Sequence, residues 1–391
     1  MTEILIAGGG LAGAAAACLL ARAGRDVTVI ERHAQPTDKI CGEFLSAEAQ
    51  HYLRHLGLDP AKLGAHPIHA VRLISGARTA TAALPFPALG LSRRILDEAL
   101  LHHAAGSGAT IHRGHQATLT QYNPTTIEVQ ATQYTPRTLF LATGKQDLRG
   151  LRRTTPTPPD LVGFKLHLRL APAQRAALAG HVDLMLLAGG YAGMQLIDNG
   201  HANLCLLIDR TRLHQAGNTW DTLLEHLLRT EPHLRHRLAG ATPLTPPLSI
   251  YRVPYGFLHH AHPTDAPNIY RLGDQCAVIP SFTGDGMSIA LHTATLAATH
   301  HLAQKPAADY HARMRADLAR LIARATALYR LGSTTAGPTL MIHLARLWPG
   351  LLSLTARATR VPRRAIEGSK AREGFAPLDP PLRAQPLEPF I

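Results

Sequence analysis

Three glycines near the start of the chain have the spacing that a bound pyrophosphate requires. Gly8, Gly10 and Gly13 follow the apolar run 4–7 and precede an alanine-rich stretch of helical composition. In a G-x-G-x-x-G turn, the first glycine permits the tight turn from strand to helix. The second lets a pyrophosphate lie against the backbone, and the third lets the helix pack close to the sheet. Glu31 ends the next apolar run, where a carboxylate binds ribose hydroxyls. The stretch therefore predicts a βαβ unit that binds an adenine dinucleotide.

A second group of residues with suitable chemistry lies far along the chain. Asp274 ends a predicted strand, and Gly284 and Gly286 precede a predicted helix at about 288–304. An aspartate at this place can accept hydrogen bonds from ribityl hydroxyls, and the glycines let backbone lie flat against an isoalloxazine ring. The positive end of the helix faces the ring edge where negative charge collects on reduction. The pattern therefore indicates that the dinucleotide is FAD.

Four blocks of the sequence resemble, in family order, the FAD-dependent superfamily that includes aromatic hydroxylases, geranylgeranyl reductases and flavin halogenases. The blocks are 8–13 with Glu31, 39–43, 92–93 with Asp97, and 273–287. The resemblance implies one FAD between a Rossmann-like domain and a sheet-walled substrate domain, with Arg93 and the loop 41–43 at the cofactor. The residues expected at FAD are Gly8, Gly10, Ala12, Gly13, Glu31, Arg32, Cys41, Gly42, Arg93, Ala117, Asp274, Gly284, Gly286 and Met287.

Other positions distinguish the branches of this superfamily. The hydroxylase motif Gly-Asp-Ala-Ala-His has no histidine here at 273–277, and the two tryptophans, Trp220 and Trp348, cannot form the halogenase Trp-x-Trp motif. The Cys-Gly loop and the ending 284–287 are most similar to the geranylgeranyl-reductase branch. The resemblance therefore implies reduction of a C=C bond in a lipophilic isoprenoid or polyketide-like substrate by hydride transfer from reduced flavin. A monooxygenase that hydroxylates such a substrate, and a non-catalytic flavin-binding protein, stay open as alternatives.

Hydride transfer requires that the substrate is positioned beside the flavin and that one residue donates a proton. It does not require many catalytic residues. Cys41 is a candidate donor or flavin neighbour, and the alternative is a small loop residue. Glu43 is a candidate proton source or a carboxylate at a helix start, and Tyr191 is either a cavity phenol or a core residue. Lys165 and His167 share one face of a predicted strand, and we expect that face to be solvated rather than to line the cavity.

The hydrophobic pattern predicts the elements that must position these residues. The fold class is α/β: a Rossmann-like FAD-binding domain with an inserted antiparallel-sheet substrate domain and C-terminal helices. Regular alternation at 164–170 and the Asn-Gly step at 199–200 indicate the antiparallel strands. The predicted FAD domain comprises 1–65, 90–153 and 266–304, and the substrate domain 66–89 and 154–265. A helical region at 305–376 and an extended tail at 377–391 follow.

Composition limits the class of protein and its partners. The 391 residues are 46% hydrophobic and 17% charged, and no apolar run reaches the ~20 residues of a membrane span. The net charge of +13 can attract anionic partners. No nucleic-acid recognition motif is visible, so we expect a small lipophilic substrate and no nucleic acid, while peripheral membrane contact is left open. The sequence does not determine the oligomeric state.

Cysteine usage bears on metals, redox chemistry and location. Cys18, Cys41, Cys205 and Cys276 are scattered without metal-ligand spacing, so no metal site is expected and a reducing cytoplasm is indicated. A second dinucleotide fingerprint is not visible either. NAD(P)H as a transient electron donor, rather than a resident cofactor, is therefore left open.

Overall fold

A computed structural model describes residues 3–122, 125–154, 160–262, 265–362 and 364–366. The expected extended tail at 377–391 lies outside these residues. The strands in chain order are β1 (Ile4–Ala7), β2 (Val27–Glu31), β3 (Phe44–Leu45), β4 (His66–Ser75), β5 (Arg78–Gly90), β6 (Thr110–Arg113), β7 (Ala117–Gln121), β8 (Thr126–Val129), β9 (Thr132–Tyr134), β10 (Thr138–Leu141), β11 (Leu161–Arg169), β12 (Gly180–Leu187), β13 (Gly190–Leu196), β14 (Ala202–Asp209), β15 (Thr242–Pro243), β16 (Leu248–Tyr251) and β17 (Ile269–Arg271).

Eleven α-helices are present in the described ranges. They are α1 (Leu11–Arg22), α2 (Ala47–His55), α3 (Arg93–Gly106), α4 (Pro172–Leu178), α5 (Arg210–Gln215), α6 (Trp220–Thr230), α7 (Pro232–Arg237), α8 (Gly286–Leu302), α9 (Ala307–Gly332), α10 (Gly337–Leu347) and α11 (Gly350–Ala358). None of the helices described here is both long and apolar enough to cross a lipid bilayer.

The first sheet is parallel throughout and holds its five strands in the order β17-β10-β1-β2-β6. Strands β1, β2, β10 and β17 are buried over their whole length, which explains their largely apolar sequences. Helix α1 is buried on all sides because it packs against α3 and α8 as well as the sheet. Its alanines permit these close approaches. The carboxyl ends of β1, β2 and β17 therefore meet at one edge of the sheet.

The second sheet has nine strands and forms the wall of the inserted region. Its order is β15-β11-β14-β13-β12-β4-β5-β3, with β16 also paired to β11. Most pairs are antiparallel, but β4 and β12 are parallel, with Val71 opposite Val182. The predicted antiparallel sheet therefore contains this one parallel pair. A hairpin forces two strands to be antiparallel, whereas β4 and β12 are far apart in sequence and no turn constrains them.

Strand β3 shows how closely the two sheets are connected. Phe44 and Leu45 directly follow the loop 41–43 and pair with Gly90 and Leu89 of β5. This short strand belongs to the second sheet although it lies inside the predicted FAD segment 1–65. The domain boundaries given by the sequence stay a prediction, and the loop 41–43 is tied at one end to the second sheet.

A third sheet and the C-terminal helices complete the described fold. Strands β7, β8 and β9 form a small antiparallel sheet whose apolar side chains, Leu119 and Ile127 among them, pack with those of β1 and β10. Helices α10 and α11 pack on β5, and α10 also packs on β4. The expected α/β class, with a Rossmann-like unit and C-terminal helices, is confirmed.

Candidate active site

The glycine-rich loop connects β1 to α1, as its spacing predicts. Gly8 has a φ of +107°, and a Cβ there would lie 2.4 Å from the carbonyl oxygen of Ala142. A Cβ at Gly13 would lie 1.9 Å from the carbonyl oxygen of Gly8. Only glycine fits at these two positions, so the sharp turn and the close approach of α1 to the sheet depend on them.

Glu31 fixes this loop from the end of the neighbouring strand. Its two carboxylate oxygens accept hydrogen bonds from the backbone N–H groups of Gly9 (2.8 Å) and His33 (2.9 Å). A pocket opens beside it, lined by Gly9, Gly10, Glu31, His33, Gln35, Pro36, Thr37, Lys39, Arg94, Asp97, Glu98, Leu101 and Arg113. Thr37 Oγ1 and Arg113 Nε are buried there without a hydrogen-bond partner among the described residues. The pocket suits the nucleoside half of a dinucleotide.

Two of the residues expected at this end lie outside the pocket lining. The Arg32 side chain is exposed and donates from Nε to Nε2 of His33 at 2.9 Å. Ala117 begins β7 and is buried in the same apolar cluster as Ala7 and Ile30. Glu31 therefore lines the pocket, whereas Arg32 and Ala117 lie near it without lining it.

Arg93 lies beside the glycine-rich loop. Its guanidinium donates two hydrogen bonds to the Asp97 carboxylate, at 2.7 and 2.8 Å, one turn along α3. Burial would lower the pKa of Arg93, but the Asp97 charge raises it above the usual value. A Cβ at Gly10 would lie 3.6 Å from Arg93 Nη2. A phosphate group lying against Gly10 would therefore be next to a permanently charged guanidinium and to the N-terminus of α1.

The motif that begins at Gly273 lies next to the glycine-rich loop 8–13 in space. A Cβ at Gly273 would lie 3.4 Å from the Ala12 Cβ, so the end of β17 contacts the start of α1. The Asp274 carboxylate accepts a hydrogen bond from Lys145 Nζ at 3.2 Å. Burial would lower the pKa of Lys145, but the Asp274 charge raises it above its usual value. Two motifs separated by more than 250 positions thus lie next to each other in space.

The N-terminus of α8 follows the second motif in the chain. Gly284 has a φ of +70°, and α8 starts at the exposed Gly286. The Met287 side chain is buried in the core, so its backbone alone faces outward. These features fit FAD. The Arg93 cation, the Glu31 carboxylate and unpartnered polar atoms lie near the first glycine-rich loop, and the Lys145 cation lies at the second motif. Each motif leads into a helix N-terminus. When bound, FAD would supply a two-electron hydride donor at the α8 end.

The loop 41–43 is held against the second sheet by side chains of β13 and β14. Asn203 Nδ2 donates to the Cys41 carbonyl oxygen at 3.1 Å, and Gln195 Nε2 donates to the Glu43 carbonyl oxygen at 2.8 Å. The backbone N–H of Glu43 lies 3.4 Å from Cys41 Sγ. A Cβ at Gly42 would have no atom within 4 Å, so the loop is open on that side. The sheet therefore positions the loop that the resemblance places at the flavin.

Glu43 is the centre of a buried ion cluster. Its side chain is fully buried, and its Oε1 accepts hydrogen bonds from Lys165 Nζ and from the Arg93 backbone N–H (2.8 Å). His167 Nε2 lies 2.7 Å from its Oε2. Our expectation of a solvated face at Lys165 and His167 was therefore wrong. Alternation predicted the shared face correctly, but the loop 41–43 covers that face and supplies a matching carboxylate.

The cluster determines the charge of Glu43. Burial alone would raise the pKa of this carboxyl, but the His167 hydrogen bond and the Lys165 charge outweigh it and hold the pKa below its usual range. Glu43 is therefore an ionised acceptor, which argues against the proton-source role. It does not begin a helix either, since α2 starts at Ala47. Asp38, Glu43 and His167 bring possible metal-ligand atoms within 4.8 Å of one another, yet Lys165 already places a cation on Glu43.

Tyr191 lies in a cluster of three hydroxyl groups. Its hydroxyl is 2.9 Å from that of Tyr255, and both phenols hydrogen-bond to Ser281 Oγ. Burial raises the pKa of Tyr191 well above the usual value and also raises that of Tyr255. The Tyr191 ring makes an edge contact with Phe282, at 5.9 Å between centroids. Three neutral hydroxyls therefore connect the second sheet to the segment that leads into Gly284.

Arg360, in the C-terminal part of the described chain, contacts the segment that leads into Gly284 and α8. Arg360 Nη1 lies 3.3 Å from Asp285 Oδ1, Arg360 Nη2 donates to the Thr283 carbonyl oxygen, and the Val361 N–H donates to Asp285 Oδ2 at 3.0 Å. The guanidinium also lies over the Phe86 ring, at 4.8 Å from its centroid. Burial raises the pKa of Asp285 to about 6, with the Arg360 charge opposing this shift. The turn at the flavin end thus depends on residue 360 for its shape.

The raised pKa gives a pH-dependent prediction for Asp285→Asn. A carboxyl whose pKa is higher in the folded state stabilises the fold at low pH, and this contribution is lost as pH rises from about 4 to about 6. Relative to Asp285→Asn, the unmodified protein should lose on the order of 3 kcal/mol over this interval. Urea unfolding of both proteins across the interval measures the difference, and parallel pH curves would contradict it.

Sequence reasoning missed several residues of this site. Tyr255 lies in no motif, and Ser281 lies in the block 273–287 without a role assigned to it, so only their contacts with Tyr191 identify them. Gln195 was detectable, because alternation along β13 places it on the same face as Tyr191. Arg360 gave no signal, since it is one of many arginines in a helical region.

Comparisons with known proteins agree with this geometry. Residues 1–139 match the FAD binding domain family. A menaquinone reductase of Mycobacterium tuberculosis is 28% identical over 314 residues, covering 76% of this chain and 75% of that protein. A squalene monooxygenase of Rattus norvegicus is 35% identical over 103 residues, covering 26% of this chain and 18% of that protein.

Solved structures share the fold at low sequence identity. The flavin-dependent brominase Bmp2 superposes with a TM-score of 0.74 at 16% identity, covering 95% of this chain and all (100%) of that one. A variant of the halogenase PltM in complex with FAD gives a TM-score of 0.70 at 12% identity, covering 95% and 91%. The expected cofactor, FAD, and the enzymatic nature of the protein are confirmed. Residues 1–139 therefore match an FAD binding domain, and the chain is similar to FAD-dependent reductases and monooxygenases.

Proposed function

We propose that this enzyme reduces a C=C bond of a lipophilic isoprenoid or polyketide-like substrate by hydride transfer from reduced flavin. The observation that carries the proposal is the hydroxyl cluster of Tyr191, Tyr255 and Ser281. Saturation of a double bond requires a hydride on one carbon and a proton on the other. A cluster of neutral hydroxyls beside the turn at Gly284 is suited to deliver that proton.

Other acids near the turn are less suitable as donors. Glu43 is held ionised by Lys165 and His167. Burial raises the pKa of the Cys205 thiol to about 12, so that thiol stays neutral, but a phenol in a hydrogen-bonded chain is replenished more readily after it gives up a proton. Tyr191 donates its proton, and a proton from solvent replaces it through Ser281, which is half-buried and hydrogen-bonded to both phenols.

The sheet face around Tyr191 suits an apolar substrate. Leu186 is directly opposite Tyr191 in the β12–β13 pair, and Leu184 is opposite Gly193. Both leucines are half-buried, as are Phe282 and Tyr329 nearby. Gly193 adds no side chain to this face, and a Cβ there would meet Leu184 Cδ2 at 3.8 Å, an ordinary contact. The face therefore combines apolar walls with one hydroxyl cluster, as a site for a long hydrocarbon substrate requires.

Relatives support both the proposal and its alternative. The curated relatives that match along three quarters of the chain are named menaquinone reductases, so a quinone is the substrate that their name gives. Squalene monooxygenases match a shorter stretch at 35% identity. Insertion of oxygen into a substrate of the same kind is therefore the second candidate. Flavin binding without catalysis is not supported, because the relatives are enzymes.

Oxygen use distinguishes the two candidates. The photoreduced protein is mixed with a short-chain menaquinone in detergent, and flavin absorbance is followed by stopped flow with and without oxygen. We expect substrate-dependent reoxidation without oxygen. After any quinol has been reoxidised to the quinone, mass spectrometry with fragmentation should locate two added hydrogen atoms in the prenyl side chain. Photoreduction supplies the electrons, so the result does not depend on whether NAD(P)H is the natural donor. Reoxidation only with oxygen, with an oxygen atom in the product, would establish the monooxygenase instead.

Tyr191→Phe tests the proton donor. We expect the anaerobic reoxidation rate to fall by about 10²-fold or more, the usual contribution of a general acid. FAD content should be unchanged, because the phenol does not bind the cofactor. Tyr251→Phe is the matched control, since Tyr251 is 58% exposed on β16. A Tyr191→Phe enzyme as fast as the control would remove the hydroxyl cluster from the mechanism.

A further inference from the structure

Exposed apolar side chains are concentrated in the C-terminal helices. Seven large apolar residues are exposed in the described part of the chain, and six of them lie between 331 and 354. Five form what we call the C-terminal apolar face: Leu340, Leu344, Leu347, Trp348 and Leu354. Leu347 is 84% and Trp348 60% exposed. A cluster of this kind marks an interaction surface, whereas single exposed leucines do not.

Helix α10 is apolar on two opposite sides. Leu340, Leu344 and Leu347 are spaced by four and three residues, which places them on one side of the helix. Ile342 and Ala345 point the other way and are buried against β4 and β5. Packing on the sheet therefore explains only the inner side. The outer side is apolar without a contact in the described structure that would account for it.

The charge around this face has one sign. The segment 318–366 contains eight arginines and no aspartate or glutamate. Arg330, Arg346 and Arg357 are exposed, and Arg346 directly precedes Leu347. A second copy of the chain would oppose arginine to arginine across a symmetric contact, which disfavours self-association. An anionic surface would be attracted instead.

We propose that the C-terminal apolar face docks the enzyme on the surface of an anionic lipid bilayer. Leucines would enter the boundary between headgroups and acyl chains, and Trp348 suits that depth because its ring is apolar with one polar N–H. The arginines beside them bind lipid phosphates. The helices lie in the membrane plane rather than across it. The inner side of the same helix covers β4, whose neighbour β12 carries Leu184 and Leu186 of the sheet face described above.

Vesicle sedimentation with the full-length, FAD-loaded protein tests this docking. We expect binding to phosphatidylcholine vesicles that contain phosphatidylglycerol, weak binding to pure phosphatidylcholine, and loss of binding at high salt. Leu344→Ser with Leu347→Ser and Trp348→Ser should lower the affinity for anionic vesicles about tenfold or more. Arg346→Gln with Arg357→Gln should lower it by about fivefold per arginine and flatten the salt dependence.

Tyr251→Ser is the control, because it removes a similarly exposed apolar side chain far from α10 in sequence. It should bind as the unmodified protein does. Lack of binding to anionic vesicles would overturn the proposal, as would unchanged binding by the triple serine variant. Light scattering that shows a dimer dissociated by the serine substitutions, without vesicle binding, would identify a second copy as the occupant. Because neither readout uses flavin chemistry, failure here would leave the proposed reaction untouched.

Discussion

Replacing Glu43 by glutamine is expected to lower the free energy of unfolding by about 3–5 kcal/mol. The Glu43 carboxylate is fully buried and accepts hydrogen bonds from Lys165, His167 and the Arg93 backbone. Glutamine keeps the volume but removes the charge, so that the Lys165 ammonium, only 1% exposed, stays buried without a counter-ion. Urea unfolding of the purified proteins at neutral pH measures the loss.

A double substitution separates the lost charge pair from lost packing. Lys165→Met together with Glu43→Gln removes both charges at nearly constant volume, and we expect it to recover most of the stability. The loop 41–43 should release FAD more readily in the single variant than in the double one, which a flavin-fluorescence titration would show. If Glu43→Gln unfolds like the unmodified protein, or if the double variant is the least stable of the set, the ion pair does not hold this loop.

Replacing Gly13 by alanine is expected to destabilise the apoprotein by about 3 kcal/mol or more, because overpacking against rigid backbone cannot relax. The new Cβ would lie 1.9 Å from the Gly8 carbonyl oxygen, which is itself held in the strand-to-helix turn. Helix α1 would have to move away from the sheet, and α3 and α8 pack on it. FAD binding should be lost together with stability.

Gly10→Ala is the matched comparison in the same loop. Its Cβ would lie 3.6 Å from Arg93 Nη2, an ordinary contact, so we expect the apoprotein to keep its stability. The methyl group would nevertheless stand where a pyrophosphate approaches the backbone, and FAD affinity should fall about tenfold or more. Thermal unfolding of the apoproteins and a flavin titration provide both readouts. Equal stability of the two variants would contradict the steric explanation for Gly13.

The cofactor-binding half of the site could be predicted from the sequence because its physical requirements are local. Gly8 and Gly13 are fixed by a backbone conformation and a close approach, and both constraints act within a few residues. The fully buried parallel strands appear as short, largely apolar runs because both of their faces are covered. Glu31 is placed by its position at the end of β2. These features need no knowledge of the rest of the fold.

Contacts between distant segments decided the reactive half. Alternation placed Lys165 and His167 on one face, but only the covering loop 41–43, over 120 positions away, turned that face from solvated to buried and gave it Glu43 as counter-ion. The parallel pairing of β4 with β12 likewise depends on no local turn.

The sequence by itself determined the cofactor class and the α/β fold, because glycine geometry and apolar runs act locally. The tertiary structure decided which polar side chains face one another. Tyr191 became part of a hydroxyl cluster through Tyr255 and Ser281, and Arg360 reached Asp285 from the far end of the described chain. Burial and charge pairing depend on residues that are neighbours in space. The sequence around an ionisable residue therefore does not reveal which residue it pairs with.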